Sequence, residues 1–304
     1  MARDLELVTK LEDIRKTKFA KIQVHKIMAL SCFILFLISL IIIFSLRIFN
    51  LIFLIFGMLF ICGVFLALYF GGKKKVSQEL KEIFYPLVLQ NFFTNVAYIS
   101  RLGISLQRIN ALNVIKRPDD FKHEDYIKGE YQGLQFEMSE VEFIEVTTDS
   151  EGNTSSSTYF RGRWFIFKIN NVFHNTLKVI ERGIPSFNDL KEVKSESIDF
   201  NKKYRIKTTN TDFAFFILTP KIMQRLLDMD PLKKNKEIYC FSNNEVHIAL
   251  GDNKDHFEFV VSKPITLESI ELLIKELDII PELIELFSLN SNKFDIDNKY
   301  EKYN

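Results

Sequence analysis

Two histidines beside a short turn are the residues in this sequence whose types best suit metal binding. His247 and His256 bracket the turn Gly251-Asp252-Asn253, and Asp255 directly precedes the second histidine. Imidazole and carboxylate groups that neighbouring strands bring together are ligands for divalent metals. The spacing makes His247 and His256, with Asp252 or Asp255, a candidate metal site.

Glu140, Arg161 and Gly162 form a second candidate site, for a ligand or a protein partner. They lie on two expected strands, Phe136–Thr147 and Tyr159–Ile169, which flank one polar loop and are therefore expected to pair. A glycine inside a strand marks a bulge or a close approach of another backbone. The simpler interpretation, cross-strand charge pairing on a solvated face, is favoured.

The polar loop between these two strands determines their register. Residues 149–157 are rich in Asp, Asn, Gly and Ser, which is typical of a flexible loop. A symmetric hairpin around this loop places Glu142 opposite Arg163, with a register slipped by several residues as the alternative.

Established catalytic motifs do not occur in the chain. There is no Gly-x-x-x-x-Gly-Lys-Ser/Thr, Gly-x-Gly-x-x-Gly, Gly-x-Ser-x-Gly, His-Glu-x-x-His or Cys-x-x-Cys sequence. His123-Glu124-Asp125 invites an acid–base or metal role, but a solvated loop is the favoured interpretation. Cys240 lies in an apolar stretch and is expected to be a small core residue rather than a nucleophile. We predict no catalytic residue and no cofactor, and leave enzymatic activity open.

Two long apolar runs stand out in the first 70 residues. Residues 27–46 contain 17 apolar residues out of 20, and residues 51–70 contain 18 out of 20, with no charge in either. About 20 helical residues cross the hydrocarbon layer of a bilayer. Both runs are therefore expected to be transmembrane helices, joined as a hairpin by residues 47–50. A buried core pair or a cleaved signal peptide fits less well.

Basic residues indicate the orientation of this hairpin. Residues 12–26 carry five Lys and Arg and residues 71–85 carry four, whereas the connection carries one. The positive-inside rule then predicts a two-pass protein of the cytoplasmic (inner) membrane with both termini in the cytoplasm. Residues 86–304 have a net charge of about −5 and no basic stripe, which argues against nucleic-acid binding.

The pattern after the second run predicts the fold class. A helical stripe continues over residues 71–117, where Pro86 should kink or break it. From residue 118 the expected strands follow one another with few helices between them, which indicates an α+β domain with a mostly antiparallel sheet packed by one or two helices. Within it, Thr219-Pro220 should start a helix and Asn243-Asn244 should turn a hairpin. A bent, pleckstrin-homology-like barrel is an alternative.

The expected organisation has six parts. They are a cytosolic juxtamembrane helix (1–26), transmembrane helices (27–46 and 51–70), a helical stalk (71–117), a cytosolic α+β domain (118–290) and a flexible tail (291–304).

Four short motifs resemble a known family. They are Glu124-Asp125-Tyr126-x-x-Gly129, Phe136-Glu137-Met138-Ser139-Glu140-Val141, Phe160-Arg161-Gly162 and Leu218-Thr219-Pro220-x-x-Met223-x-x-Leu226. With the two-span hairpin, they resemble a bacterial membrane-protein family catalogued as domain of unknown function 3137, over most of residues 70–290. The resemblance implies a topology but no chemistry, substrate or site.

The leading hypothesis is a membrane-anchored, non-enzymatic interaction or scaffold module. Its expected partners are the lipid bilayer and a protein, or a second copy of the chain bound through the hairpin. Gly63 and Ala67 form a small-xxx-small step that could seat the two helices on each other or on a second copy. The alternatives are lipid or small-ligand binding at the membrane surface, and an enzyme without a recognisable motif.

Overall fold

The computed structural model describes residues 2–46, 52–187, 189–228 and 236–291. The expected connection 47–50, and all but the first residue of the expected tail 291–304, lie outside these residues. The chain divides into two compact units, Met1–Tyr85 with Glu258–Leu272, and Pro86–Phe257 with Leu273–Asn304. We call them the helical unit and the sheet unit.

Two long helices dominate the helical unit. Helix α1 spans Ala2–Leu46 and helix α2 spans Ile52–Leu89, whose last residues belong to the sheet unit. The helices pack antiparallel, since the thiol of Cys62 on α2 lies 3.4 Å from the carbonyl oxygen of Ala29 on α1, and Gly72 lies against Ile22.

The apolar side chains of α1 and α2 are largely exposed. Only 11% of the most apolar window of each helix is buried, and Phe53 and Phe60 are 81% and 74% exposed. Helices in the core of a soluble protein bury such side chains. Both helices are long and apolar enough to span a membrane.

The sheet unit has an α+β fold, as the strand order predicts. Its strands are β1 (Thr94–Ile99), β2 (Asp120–Tyr131), β3 (Leu134–Thr148), β4 (Thr154–Glu181), β5 (Lys191–Val193), β6 (Tyr204–Thr208) and β7 (Lys236–Gly251). The remaining helices are α3 (Leu106–Asn110), α4 (Ile198–Lys203), α5 (Thr211–Ile217), α6 (Pro220–Asp228), α7 (Leu267–Leu277) and α8 (Ile279–Phe287). Among the described residues all strand pairs are antiparallel, and the sheet is open rather than a closed barrel.

Strand β4 is the centre of this sheet. Its 28 residues pair with β3 at the start, with β7 along the middle and with both β6 and β7 near the end. Trp164, Phe165 and Phe167 are fully buried, so neighbouring positions on both faces of β4 are covered. The aromatic residues of this strand therefore form much of the core.

The helical stretch expected over residues 71–117 ends at Leu89. Pro86 lies inside α2, and the helix stops three residues beyond it. A proline has no N–H for the helical hydrogen-bond pattern, which weakens the last turn. Thr94–Ile99 pairs instead with β2, so these residues extend the sheet.

The turn between β3 and β4 is shorter than the expected flexible loop. The carboxylate of Asp149 accepts hydrogen bonds from the amides of Glu151 and Asn153, both at 2.9 Å. This closes a tight turn, and β4 already begins at Thr154. The pairing of Glu142 with Arg163 that a symmetric hairpin predicts is therefore wrong by two residues, since Glu142 pairs with Arg161.

The hairpin expected at Asn243-Asn244 is also wrong. Strand β7 runs through both asparagines, and Asn243 pairs with Phe173 where the β4–β7 register shifts. Asn243 has a φ of 54°, a left-handed conformation that asparagine adopts more readily than most residues. The asparagine pair is thus an irregularity within β7 rather than a turn, because β7 pairs with β4 both before and after it.

Candidate functional site

Three carboxylates from different parts of the sheet unit converge beside β3. Glu124 on β2 and Glu140 on β3 are cross-strand partners, and Asp255 lies in the segment after β7. One carboxylate oxygen from each residue lies within 4.8 Å of the others. We call Glu124, Glu140 and Asp255 the acidic cluster.

Glu140 is the buried member of the acidic cluster. It is 6% exposed, and its Oε1 accepts hydrogen bonds from the backbone amides of His256 (2.7 Å) and Phe257 (3.2 Å). The pKa of Glu140 is raised to about 7, first by burial and then by the charges of Asp255 and Asp125. This carboxyl group therefore changes charge near neutral pH.

A β-bulge places Glu124 opposite Glu140. The β2–β3 register shifts just after Glu124, where Asp125 has a φ of 56°. Aspartate tolerates this left-handed conformation better than most residues do. Asp125 is fully buried and hydrogen-bonds to the hydroxyl of Tyr98. The solvated loop expected for residues 123–125 is therefore wrong, because this segment is a bulged strand.

His256 lies between two carboxylates. Its Nδ1 is 2.6 Å from Glu276 Oε2, and its Nε2 is 2.9 Å from Asp252 Oδ2. Burial lowers the pKa of His256, but the hydrogen bonds to Asp252 and Glu276 outweigh burial and raise the pKa above its ordinary value. Arg163 also donates to Glu276, at 3.1 Å. Both ring nitrogens of His256 have partners in this arrangement.

His247 belongs to a separate buried network. Its Nδ1 accepts a hydrogen bond from Trp164 Nε1 at 3.2 Å, and its Nε2 lies 2.9 Å from Glu245 Oε2. Burial lowers the pKa of His247 despite the opposing effect of Glu245. The lowered pKa favours the neutral ring, and the hydrogen bond that Nδ1 accepts from the indole assigns the proton of that neutral ring to Nε2. His247 and His256, which the sequence placed in one candidate metal site, have different partners in the structure.

The His247 network continues outward through Arg108. This arginine donates to Glu245 at 2.6 Å and to Glu137 at 2.8 Å, and the hydroxyl of Tyr126 donates to Glu137 at 2.9 Å. The pKa of Glu245 is lowered to about 2, first by its hydrogen bond with His247 and also by Arg108. The network ties helix α3 to β3 and β7. His247 is only 1% exposed, so the imidazole is not accessible to a substrate.

Arg161 and Gly162, the other candidate residues, contact different groups. Arg161 is half-exposed, and its Nη2 lies 3.9 Å from Asp255 Oδ2. Gly162 lies against β7, where a Cβ would overlap the carbonyl oxygen of Leu250 and come within 2.6 Å of Gly251 Cα. The sequence predicts either a bulge or a close approach of another backbone at Gly162, and the structure shows the close approach.

The acidic cluster has the donor chemistry of a hard-cation site. Carboxylate oxygens are the ligands that Ca²⁺ and Mg²⁺ prefer. Asp255 Oδ1 is buried and has no hydrogen-bond partner among the described residues, whereas Glu124 is exposed and leaves one side accessible. These three residues could hold a divalent cation, which would balance the charge of Glu140.

A shallow groove lies elsewhere on the sheet unit. Its lining residues are Leu106, Gln107, Asn110, Ala111 and Arg117. Asn110 Oδ1 is buried and has no hydrogen-bond partner among the residues that the structure describes. None of the lining residues was predicted from the sequence, and none belongs to the acidic cluster.

Comparisons with known proteins gave a match to a family model and a match to a solved structure. No curated protein matches the chain. The crystal structure of the mycobacterial trehalose monomycolate transport factor A, TtfA, is similar with a TM-score of 0.36 and 10% identity, over 66% of this chain and 92% of that chain. Residues 158–289 match the family described as "Protein of unknown function (DUF3137)". Two of the four motifs, Phe160-Arg161-Gly162 and the one that begins at Leu218, lie within the matched residues, so this segment is similar to the family that the motifs resemble.

Proposed function

We propose that this protein is a two-pass, membrane-anchored interaction module whose sheet unit lies in the cytosol. The observation that carries the proposal is the exposure of α1 and α2, since only 11% of the most apolar window of each helix is buried. Such a surface is stable in lipid and unfavourable in water. With the hairpin in the membrane, the sheet unit is the part of the chain that a soluble partner can reach.

Basic residues on both sides of the hairpin support the orientation. Residues 12–26 carry five Lys and Arg and residues 71–85 carry four. In the proposed hairpin both segments adjoin the membrane on the same side. Cytoplasmic flanks attract such residues because of the positive-inside rule and the anionic lipids of that leaflet. The cytoplasmic membrane is therefore the proposed location.

The environment of Gly63 supports self-association through the hairpin. Among the described residues, a Cβ built on Gly63 meets no atom within 4 Å outside its own stretch of helix, so this glycine does not seat α2 against the described part of α1. The step formed by Gly63 and Ala67 is thus left for the close approach of a helix from a second copy.

Cysteine labelling in intact cells tests the anchor and its orientation. In a full-length chain whose three cysteines are replaced by alanine, Asn50→Cys should react with a membrane-impermeant maleimide added outside. The matched variant Lys74→Cys should react only after the membrane is permeabilised. Labelling of both, or extraction of the chain from membranes by alkaline carbonate, would contradict the proposal.

Cross-linking of the full-length chain in native membranes tests the interaction role. Gly63→Leu should strongly reduce the cross-linked dimer, because the leucine side chain keeps two helices apart. Gly57→Leu is the control, since Gly57 also has no neighbour within 4 Å of its Cβ position in the part of the chain that the structure describes, but lies six residues away on another face of α2. Discrete adducts through lysines of the sheet unit, such as Lys128 and Lys168, are also expected. Their absence would argue against a soluble partner.

A further inference from the structure

Two buried lysines lie side by side in the sheet unit, on strands β4 and β6. Lys178 and Lys207 are register partners of this antiparallel pair, and they are 4% and 2% exposed. The side chains of register partners project from the same face of a sheet, with their Cβ atoms about 4.5–5.5 Å apart. Like charges in this arrangement repel each other, and a buried ammonium group needs compensating partners.

Among the described residues, Lys178 has an ion-pair partner and Lys207 has none. Lys178 Nζ donates to Asp189 Oδ2 at 2.5 Å, whereas Lys207 Nζ donates to the carbonyl oxygen of Phe187. Glu192 on β5 is the register partner of Lys207, but its carboxylate pairs with an exposed arginine, Arg182, at 3.3 Å. The charge of Lys207 is therefore buried without a carboxylate in direct contact.

Arg205 adds a third cation on the same face of the sheet. It lies two residues before Lys207 on β6, and residues two apart on a strand project to the same side. Arg205 Nη2 donates to the carbonyl of Ile184 at 2.6 Å, while its buried Nε has no partner among the residues that the structure describes. Burial lowers the pKa of Lys207, and the positive charge of Arg205 lowers it further. The two cations are therefore close enough to repel each other.

The chain segment that contacts these cations carries an unpartnered hydroxyl group. Ser186 lies between Ile184 and Phe187, the two residues whose carbonyl groups accept from the cations. The hydroxyl oxygen of Ser186 is buried and makes no hydrogen bond to any described residue. Buried polar atoms in folded proteins nearly always have a hydrogen-bond partner. A partner from outside the chain is therefore expected beside Ser186.

We propose that Lys178, Arg205 and Lys207 bind a tetrahedral dianion, either inorganic phosphate or the terminal phosphate group of a small molecule. Each of the two ammonium groups has three N–H donors but one acceptor among the described residues, and the guanidinium fork of arginine matches the oxygens of phosphate. The carboxylate of Asp189 takes the place of one ligand oxygen on Lys178. The Asp189 side chain is 29% exposed, so an anion reaches the site from solvent by displacing this carboxylate.

Phosphate binding to the full-length wild-type chain in detergent provides the first test. Equilibrium dialysis against radiolabelled inorganic phosphate at constant ionic strength should show one saturable site per chain. Competition by glycerol 3-phosphate, a monoester, would identify an organic phosphate as the ligand, and its failure to compete would identify free phosphate. Glycerophosphoglycerol, a diester with one charge like a lipid headgroup, should compete about tenfold more weakly than phosphate, because it offers one charge-assisted contact fewer. Equal competition by the diester, or no saturable binding of phosphate, would overturn the proposal.

Substitutions give the second test, with folding checked by circular dichroism. Lys207→Met keeps a long apolar side chain without the charge, and should weaken phosphate binding by about tenfold, the value of one hydrogen bond to a charged group. Asp189→Asn should instead tighten binding by about fivefold, because phosphate then displaces no like-charged group. The control Lys168→Met removes an exposed lysine of β4 and should leave the phosphate affinity unchanged. Unchanged binding in Lys207→Met, or binding that does not tighten in Asp189→Asn, would contradict the site.

Discussion

The α-carbon of Gly162 packs directly against the carbonyl group of Leu250. No other residue type fits there, because a Cβ at Gly162 would overlap that oxygen. The contact lies where β4 meets the end of β7, next to the register pair Arg163 and Leu250. It sets the path of the chain into the segment that carries Asp255.

Gly162→Ala should destabilise the sheet unit by about 3 kcal/mol, the upper end for overpacking a well-packed site. The clash is with backbone atoms, which cannot move aside as a flexible side chain can. Chemical denaturation of the full-length chain in detergent measures the effect. Ser156→Ala, an exposed site on the same strand, is the control and should change stability by less than about 0.5 kcal/mol. Equal stabilities for the two variants would contradict the close approach.

Glu140→Gln should stabilise the sheet unit at alkaline pH and leave it unchanged near pH 4. The pKa of Glu140 is about 7 in the folded chain against an ordinary value of 4.5. Folding therefore favours the protonated acid, and the wild type loses stability as pH rises from about 4.5 to 7. The linked difference is on the order of 3 kcal/mol above pH 7. Denaturation midpoints of both chains across pH 4–8 check this prediction.

The Glu140 comparison needs a chelator and a control. A cation held between the carboxylates would favour the charged form of Glu140 and reduce the pH dependence, so the titration is run with and without EDTA. Glu151→Gln removes an exposed carboxylate and should leave the pH profile unchanged. A flat difference between wild type and Glu140→Gln in EDTA would refute the raised pKa.

The contribution of His247 to stability should depend on pH in the opposite direction to that of Glu140. Because burial lowers its pKa, folding favours the neutral ring, and the stability that this contributes is present above pH 6.5 and lost as pH falls. Protonation also removes the acceptor for the indole of Trp164, the only tryptophan in the chain. Acidification should therefore change tryptophan emission in the wild type, and His247→Gln should abolish that acid step. An acid step of equal size in His247→Gln would count against this assignment.

Cys240 should be inert until the sheet opens. It is fully buried, and burial raises the pKa of its thiol to about 12, so almost no thiolate forms at neutral pH. In a chain with Cys32 and Cys62 replaced by alanine, a maleimide should label Cys240 only in denaturant. Ser157→Cys in a background without native cysteines should react at once, because residue 157 is exposed. Rapid labelling of native Cys240 would instead favour a reactive thiol.

The apolar helices and the α+β class could be predicted from the sequence because both depend on averages over long windows. Twenty apolar residues without a charge outweigh any local irregularity, and a run of strands without crossover helices permits few sheet topologies. The start of α6 was equally predictable, since the hydroxyl of Thr219 accepts from the amide of Ile222 and Pro220 is the first helical residue.

The acidic cluster could not be predicted, because it depends on a one-residue shift. The register set by the turn at Gln132-Gly133 would place Glu124 opposite Val141. The bulge at Asp125 moves the register by one residue and brings Glu140 opposite instead. Such a shift reverses which face each side chain occupies, and aspartate is too common in ordinary turns to reveal it.

The length of β4 affects how the chain must be made. Its partner β3 is synthesised just before it, but β7 ends about 70 residues after β4 does. At a synthesis rate of about 5–20 residues per second, the aromatic edge of β4 stays unpaired for roughly 4–14 s before β7 is complete. An unpaired strand of this kind is a template for aggregation. The edge of β4 that pairs with β7 is therefore exposed to aggregation while the nascent chain grows from residue 181 to residue 251.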